Sequence, residues 1–453
     1  MITYIKVNGF RSLRDFSLSF KPGINVLIGP NGSGKSNIIQ YLQFLSDLAD
    51  APLSEAVSKV GGAGFLFQKF GKGTYKADLR STIVGQVEYY RRENHEVPKI
   101  VEYHYSFHIK LTEKRDKIYF SDQLLGIRIK DRKSPQKILL DTEQWDLLVK
   151  MHTDADGMPQ ITIPRANKET LNFNGMLGRK QTTRELKKVL INEFERMSMN
   201  NRVLFSPYYY PSPYLSLVYQ SISDSVLLNV DPSAVKRPED GATPPGINSD
   251  GSGLAATLYY LKQGGAFLPR KAFIPYFYPD DNSRPKEDTF HRVQQFLQLV
   301  NSAVDSMEVD NNPFDNRLMV SINIKDVGTI TSLPISAMSD GTVKWLSLVT
   351  AILTNNSRIY LEEPENFIHP RMQREIVELL RNRHDEERIP TFTLLTSHSE
   401  TLINSTDPSE LIVVTMKNGK TRARRPINLN RLRKEISDSG FGMGFYYLSG
   451  ALD

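Results

Sequence analysis

The 453-residue chain contains no cysteine. Disulfides, thiolate zinc sites and cysteine nucleophiles are therefore outside its chemistry. It has no long apolar run either. The richest stretch, around Trp345–Leu353, is far short of the ~20 residues that a membrane span needs. No basic, apolar and cleavable leader opens the chain, because MITYIKVNGF reads as a strand. Together these absences lead to the expectation of a cytoplasmic protein without a membrane partner. Tandem repeats and long heptad arrays are also missing, which argues against solenoids and long coiled coils. One stretch lacks acids altogether: residues 417–434 hold Lys417, Lys420, Arg422, Arg424, Arg425, Arg431, Arg433 and Lys434. A solvated face and a groove for a phosphate backbone both fit such a run. The net charge of +6 permits contact with nucleic acid without requiring it.

What is present is ordinary for a protein with a real core: 40% hydrophobic and 24% charged residues, in a chain long enough for more than one lobe. The first 45 residues read strand, turn, strand, loop, helix. Ile2–Val7 and Phe16–Phe20 alternate, Lys21-Pro22-Gly23 is a turn, and Ile24–Ile28 is a short apolar run suited to a buried parallel strand. A helix is expected from Ser36 to Ala49. The last 125 or so residues return to an α/β pattern. Helices are expected at Val343–Leu353 and Arg371–Arg383, with strands at Arg358–Leu361, Thr391–Thr396 and Leu411–Thr415.

The middle differs. Glu102–Leu111, Lys117–Phe120 and Gly126–Lys130 alternate as antiparallel strands with one wet face. His104 and His108 share a face, but no third histidine accompanies them to complete a metal site. Helices are expected over Thr183–Met199 and within Arg284–Met307. Tyr208–Pro213 reads as a bend and Pro238–Gly253 as a loop. The expected divisions are residues 1–75 and 331–453, the two halves of one head, with 76–330 as an inserted β-rich and helical lobe that returns to the head.

Gly29-Pro-Asn-Gly-Ser-Gly-Lys-Ser36 fits G-x-x-x-x-G-K-[ST] without a mismatch. The glycines let the backbone curl until its N–H groups face a phosphate, and the following helix presents its N-terminus to the anion. Lys35 would reach the terminal phosphates and the Ser36 hydroxyl would ligate Mg²⁺. Gly29, Pro30, Asn31, Gly32, Ser33, Gly34, Lys35, Ser36 and Asn37 are the candidate phosphate-binding residues. Alone, this loop leaves GTPases, kinases and ATPases open. Near the other end, Arg358–Glu362 is a strand that runs into Glu362-Glu363-Pro364-Glu365. One of its acids could hold Mg²⁺ and the next could deprotonate a water. Ser397-His398-Ser399 ends the following strand and places a histidine at the same sheet edge, where it could bond a γ-phosphate. Ser339-Asp340-Gly341 precedes the apolar helix. It is either a second anion site or a simple N-cap. Two anion sites for one nucleotide make sense if two chains share it.

This order resembles the ABC-type ATPases that include SMC proteins, RecF and the OLD-family nucleases, and it is most similar to the prokaryotic RecF/OLD-like AAA family ATPases. FRSLRDFSLSF, GPNGSGKSN, Asp231-Pro232, Asp250-Gly251, DGTVKW, LEEPENFIHP and LTSHSETLIN carry the likeness. The resemblance implies an α/β fold: an ABC-type P-loop ATPase head with an inserted β-rich and helical lobe. It also implies a head-to-tail homodimer that hydrolyses ATP with Mg²⁺. Each ATP would lie between Lys35 and Ser36 of one copy and Ser339, Asp340 and Gly341 of the other. Glu362 takes the Mg²⁺ position where many relatives carry Asp. Glu363 becomes the general base, His398 the γ-phosphate switch, and Gln68 a candidate Mg²⁺ contact. SMC proteins carry heptads that this chain lacks. OLD nucleases carry a Toprim nuclease after the ATPase, for which no acid-rich arrangement follows His398. The expectation is therefore an ATP-switched scaffold or regulator of a separate effector, a nuclease or toxin, as in the stand-alone ATPases of anti-phage defence. A RecF-like DNA-binding ATPase of repair is the alternative, and the run 417–434 favours it. A transporter-type subunit fits poorly with the large insertion.

Overall fold

In the computed structural model of the chain, the residues described are 1–70, 74–89, 99–112, 117–131, 145–154, 156–171, 182–197, 199–206, 213–265, 288–326, 328–355, 358–386 and 390–450. Among them, no helix is long and apolar enough to cross a membrane.

The strand Gly23–Ile28 has an apolar run because it is covered on both sides. It lies in a six-stranded sheet with the spatial order Ser225–Leu228, Arg358–Glu362, Phe392–Ser397, Gly23–Ile28, Leu411–Lys417 and Lys420–Arg424. The first five strands run parallel and the last turns back antiparallel. Alternate side chains enter opposite layers. Leu27, Tyr360, Leu394 and Ile412 join one apolar core with Ile38, Leu42 and Leu45 of the helix Lys35–Asp50. Val26, Ile28, Leu361 and Leu395 join a second core with Trp345 of the helix Asp340–Thr354 and Ile376 of the helix Pro370–Glu386. Asn25 is the polar exception in its strand. It is fully buried, and its amide donates to Lys21 O at 2.8 Å. This is the α/β head expected from the sequence.

A second sheet of seven strands has the order Pro159–Ala166, Leu147–Thr153, Ile118–Asp131, Lys99–Leu111, Asp78–Tyr89, Ile2–Asn8 and Phe16–Ser19. It is antiparallel throughout, as the alternation in the middle of the chain requires. Ile5 pairs with Ile83, so the sheet continues across residue 75 without a seam. Lys117–Phe120 and Gly126–Lys130, expected as separate strands, belong to one strand, Ile118–Asp131. The interruption is a register shift opposite His108 and Ile109, where Ser121 is the extra residue and its hydroxyl reaches Asp122 Oδ2 at 2.9 Å. The pairing also gives His108 two acidic neighbours from the adjoining strands: Asp78 Oδ1 lies 2.7 Å from Nε2 and Asp122 Oδ2 lies 3.5 Å from Nδ1. His104 instead sits beside the Trp145 ring.

A small sheet of Glu239–Asp240, Arg317–Asp326, Val304–Asn312 and Thr329–Pro334 leads into the Ser339 turn. Most of Pro238–Gly253 is turn, as expected, but Glu239 does structural work from a short strand. Its carboxylate accepts from Gly253 N at 2.7 Å and Ala256 N at 2.9 Å, capping the helix Leu254–Lys262. The expected helix within Arg284–Met307 is Thr289–Val300, and Val304 already begins a strand. The helix at Thr183 closes with a capping box between Thr182 and Glu185 and ends at Arg196. Residues 208–212 of the expected bend lie outside the described residues.

Gly126 faces the buried Trp145, and a Cβ there would lie 2.6 Å from the indole. We expect Gly126→Ala to destabilise the chain by about 1–3 kcal/mol, read from the midpoint of chemical denaturation. An unchanged midpoint would show that the indole can move aside.

Candidate functional site

The phosphate loop leaves the buried strand Gly23–Ile28 at its C-terminal end, where an open α/β sheet binds ligands. Gly32 and Gly34 take φ of 77° and 102°, a region that favours glycine, and Gly34 is the N-cap of the helix Lys35–Asp50. Lys35 is nearly buried, and its ammonium donates to Gly29 O at 2.8 Å and Pro30 O at 3.2 Å. Burial pulls its pKa down, and the carboxylates of Glu363, Glu365 and Glu362 oppose that. Those three acids and the loop lysine therefore share one electrostatic site.

The acids come from the last residue of the strand Arg358–Glu362 and from the turn after it. That strand pairs in parallel with Phe392–Ser397, which pairs in turn with Gly23–Ile28. Glu363 has φ 43°, strained for a residue with a Cβ. Its N–H donates to Thr396 Oγ1 at 3.1 Å, its carbonyl accepts from Lys344 Nζ at 3.2 Å, and its Oε2 accepts from Asn366 Nδ2 at 2.9 Å. Glu363 Oε1 lies 3.7 Å from His398 Nε2. Burial, then the charge of Lys35, lowers the His398 pKa against the pull of Glu363 and Glu365, so the ring is neutral at pH 7. Three side-chain atoms around this edge are buried without a hydrogen-bond partner among the described residues: Ser33 Oγ, His398 Nε2 and Glu365 Oε2. Glu365 Oε1, by contrast, accepts from Ser397 Oγ at 2.8 Å and His398 N at 2.7 Å.

Ser339 is the N-cap of the helix Asp340–Thr354, its Oγ accepting from Thr342 N at 3.3 Å. Asp340 pairs with Lys236 at 2.6 Å, which ties the Asp231-Pro232 segment to this turn. A Cβ on Gly341 would lie 2.5 Å from Phe367 O, so the helix start packs directly on the acidic turn. Lys344 of the same helix is almost fully buried, and burial pushes its pKa down to about 8 against Glu365 and Glu363. Gln68 lies in the short strand Gln68–Phe70, but its side chain falls outside the described residues.

Ser12 and Thr421 carried no sequence signal of a role at this loop. Asn37 Nδ2 donates to Ser12 Oγ at 2.7 Å, Ser12 Oγ and Thr421 Oγ1 are 2.7 Å apart, and Thr421 Oγ1 donates to Ser33 O at 3.2 Å. Thr421 is 388 residues from Ser33 in sequence, and nothing in its local surroundings points to a phosphate loop. The acid-free run 417–434 that contains it is largely engaged with its own chain. Lys420 pairs with Asp15 at 3.1 Å, Arg422 donates to Asp15 O at 3.0 Å, and Arg433 pairs with Asp407 at 2.8 Å. Arg425 donates to Ser409 O at 2.9 Å and to Asn25 Oδ1. Lys417 and Lys434 are exposed.

Replacing Thr421 with valine keeps the shape but removes the donor to the loop carbonyl. An unsatisfied buried carbonyl costs about 1–3 kcal/mol. We expect Thr421→Val to weaken binding of a fluorescent ATP analogue about tenfold. Unchanged affinity would remove the hairpin from the site.

Two family models match. Residues 4–202 match "AAA domain", and residues 237–404 match "AAA domain, putative AbiEii toxin, Type IV TA system". The DNA replication and repair protein RecF of Renibacterium salmoninarum is 37% identical over 51 residues, 11% of this chain and 13% of that protein. The DNA double-strand break repair Rad50 ATPase of Methanococcus maripaludis is 50% identical over 44 residues, 10% of this chain and 4% of that protein. The matches thus span only a small part of these relatives. Among solved structures, an Smc head bound to the C-winged helix domain of ScpA aligns with a TM-score of 0.43 at 13% identity, covering 93% of this chain and 97% of that one. An Smc head domain from Pyrococcus furiosus, bound to the C-terminal domain of ScpA, also aligns with a TM-score of 0.43. Residues 4–202 and 237–404 are thus similar to AAA domains, and short stretches of the chain are similar to RecF and to the Rad50 ATPase.

Proposed function

We propose that the chain binds ATP in the phosphate loop and hydrolyses it to ADP and phosphate, two copies sharing each nucleotide head to tail. The observation that carries this reading is the convergence of Lys35, Glu362, Glu363 and His398 at one edge of the parallel sheet. The fit of an anionic ligand is supported by the buried Ser33 Oγ and His398 Nε2, unpartnered among the described residues, and by a buried lysine that bonds two loop carbonyls. In this reading the loop residues 29–37 hold the phosphates and Lys35 neutralises the terminal ones. Ser36, Glu362 and Gln68 would hold Mg²⁺, which supplies charge neutralisation on the phosphates; hydroxyl, carboxylate and amide oxygens suit that ion. Glu363 takes the proton from the attacking water, and neutral His398 bonds the γ-phosphate. Ser339, Asp340 and Gly341 of the second copy would close the site. Ser339 already caps its own helix, which leaves the helix N-terminus as the anion-facing element.

The nucleotide state would then set the pairing of the heads and so control a separate effector, a nuclease or toxin, in anti-phage defence within the cytoplasm. The toxin–antitoxin wording of the model matching residues 237–404 supports that direction. The second reading is a DNA-binding repair ATPase, favoured by the names of the RecF and Rad50 relatives. The engagement of Arg422, Arg425 and Arg433 with their own chain weighs against the run 417–434 as its DNA groove.

Glu363→Gln is expected to bind ATP normally and to turn over at least about a hundredfold more slowly. Turnover at the wild-type rate would sink the base assignment. Tagged Glu363→Gln protein is expected to co-purify with a stoichiometric nuclease or toxin-like partner. DNA retained instead, with affinity that falls steeply with salt and drops on replacing Lys417 and Lys434 by alanine, would favour the repair reading.

A further inference from the structure

The acidic turn contains a third carboxylate with no role in the scheme above. Glu365 is two residues beyond Glu363, yet its side chain points to the neighbouring strand. Its Oε1 is already shared by two donors, the Ser397 hydroxyl at 2.8 Å and the His398 backbone N–H at 2.7 Å. Its Oε2 is buried without a partner among the described residues. A carboxylate so enclosed is badly placed to take a proton from a solvent-borne water, which needs an accessible lone pair.

The surrounding bonds form a closed circuit with every donor direction fixed. Ser397 Oγ gives its proton to Glu365 and accepts from Ser399 N at 3.0 Å. Ser399 Oγ donates to Gln373 Oε1, and Gln373 Nε2 donates to Ile368 O at 3.1 Å. Ile368 N returns to Glu365 O at 3.2 Å. Ser397 and Gln373 are both buried. The circuit locks the turn after the acidic strand to the turn after the histidine strand. The backbone of His398 is the point at which it grips, and the His398 ring then stands 3.7 Å from Glu363.

We propose that Glu365 is a positioning residue: one of its oxygens clamps the Ser397–His398 turn and thereby sets the placement of the His398 ring against Glu363. For its effect on turnover this rests on the hydrolysis reading above. The clamp itself does not. What the clamp needs is a planar acceptor at Oε1, not a negative charge. Glutamine keeps that acceptor, whereas alanine removes it.

The test compares Glu365→Ala, Glu365→Gln and wild type in two measurements on the full chain. Hydrogen–deuterium exchange of the segment containing the His398 amide is expected to speed up about tenfold or more in Glu365→Ala and to change little in Glu365→Gln. In steady-state kinetics Glu365→Ala is expected to lower kcat about tenfold or more with the affinity for an ATP analogue within about threefold of wild type, while Glu365→Gln retains most of the turnover. Glu365→Gln as inactive as Glu363→Gln would overturn the proposal, since charge or base catalysis would then be the role. Unchanged exchange in Glu365→Ala would overturn it as well. A wild-type protein that binds ATP without hydrolysing it would defeat the hydrolysis reading alone, and the exchange comparison would still decide the clamp.

Discussion

A loop that offers its backbone N–H groups to an anion cannot also use them to hold its own shape. Apart from one backbone bond, Ser33 N–H to Pro30 O at 3.2 Å, its rigidity has to come from side chains. Here the Lys35 ammonium bonds the carbonyls of Gly29 and Pro30, and Thr421 bonds the carbonyl of Ser33. Asn37 reaches the same threonine through Ser12. The neighbours are so close that a Cβ on Gly34 would fall 2.0 Å from Thr421 Oγ1, and one on Gly29 would fall 2.1 Å from Val414 O. The glycines of the motif thus serve contact as much as curvature. The support comes from the C-terminal hairpin, so the two ends of the chain have to meet before either has a purpose.

The acidic turn obeys a related constraint. Glu363 keeps a backbone conformation that costs a residue with a Cβ about 1–2 kcal/mol. Its N–H and its carbonyl are both pinned, by Thr396 and Lys344. Strain held in this way at an acid beside a phosphate loop is what a prearranged site looks like. The same turn gathers three carboxylates around two buried lysines, and each lysine is drawn down by burial and back up by the acids. With a pKa of about 8, Lys344 stays charged at neutral pH. The helix carrying the Ser339 turn is therefore joined to the acidic turn through charge as well as through the packing of Gly341 on Phe367.

The parallel head was legible because its signals are local. An apolar strand, a Gly-rich turn and a helix follow one another within 28 residues, Gly23–Asp50, and the strands ending in Glu362 and Ser397 are short buried runs of the same kind. The antiparallel middle was legible only in part: Glu102–Leu111 and the two pieces of Ile118–Asp131 read as strands, whereas Asp78–Tyr89, Leu147–Thr153 and Pro159–Ala166 did not, and the breaks were not legible either. Whether Ser121 ends a strand or bulges within one depends on the partner opposite, which the strand's own sequence does not contain. The same limit hid the acids beside His108 and the hydroxyl chain through Ser12 and Thr421, since each is made by pairing between distant segments. The acid-free run 417–434 looked like a free surface because its partners, Asp15 and Asp407, lie outside it. Glu365 stood in plain view beside Glu363. Only the geometry separates the carboxylate that clamps from the one that faces the histidine.

The pairing of Ile28 with Ser397 and of Val26 with Leu411 has a consequence on the ribosome. The strand that launches the phosphate loop emerges first, and both of its neighbours, Phe392–Ser397 and Leu411–Lys417, follow more than 360 residues later. At ~5–20 residues per second, the apolar Gly23–Ile28 strand waits roughly 20–80 seconds for them. Throughout that interval both of its edges are open to wrong partners. A nascent chain can assemble its antiparallel sheet meanwhile, because those strands all lie before residue 167. The support that Thr421 gives the phosphate loop therefore arrives only after 388 further residues have been made, so the loop is the last part of this sheet edge to take its shape.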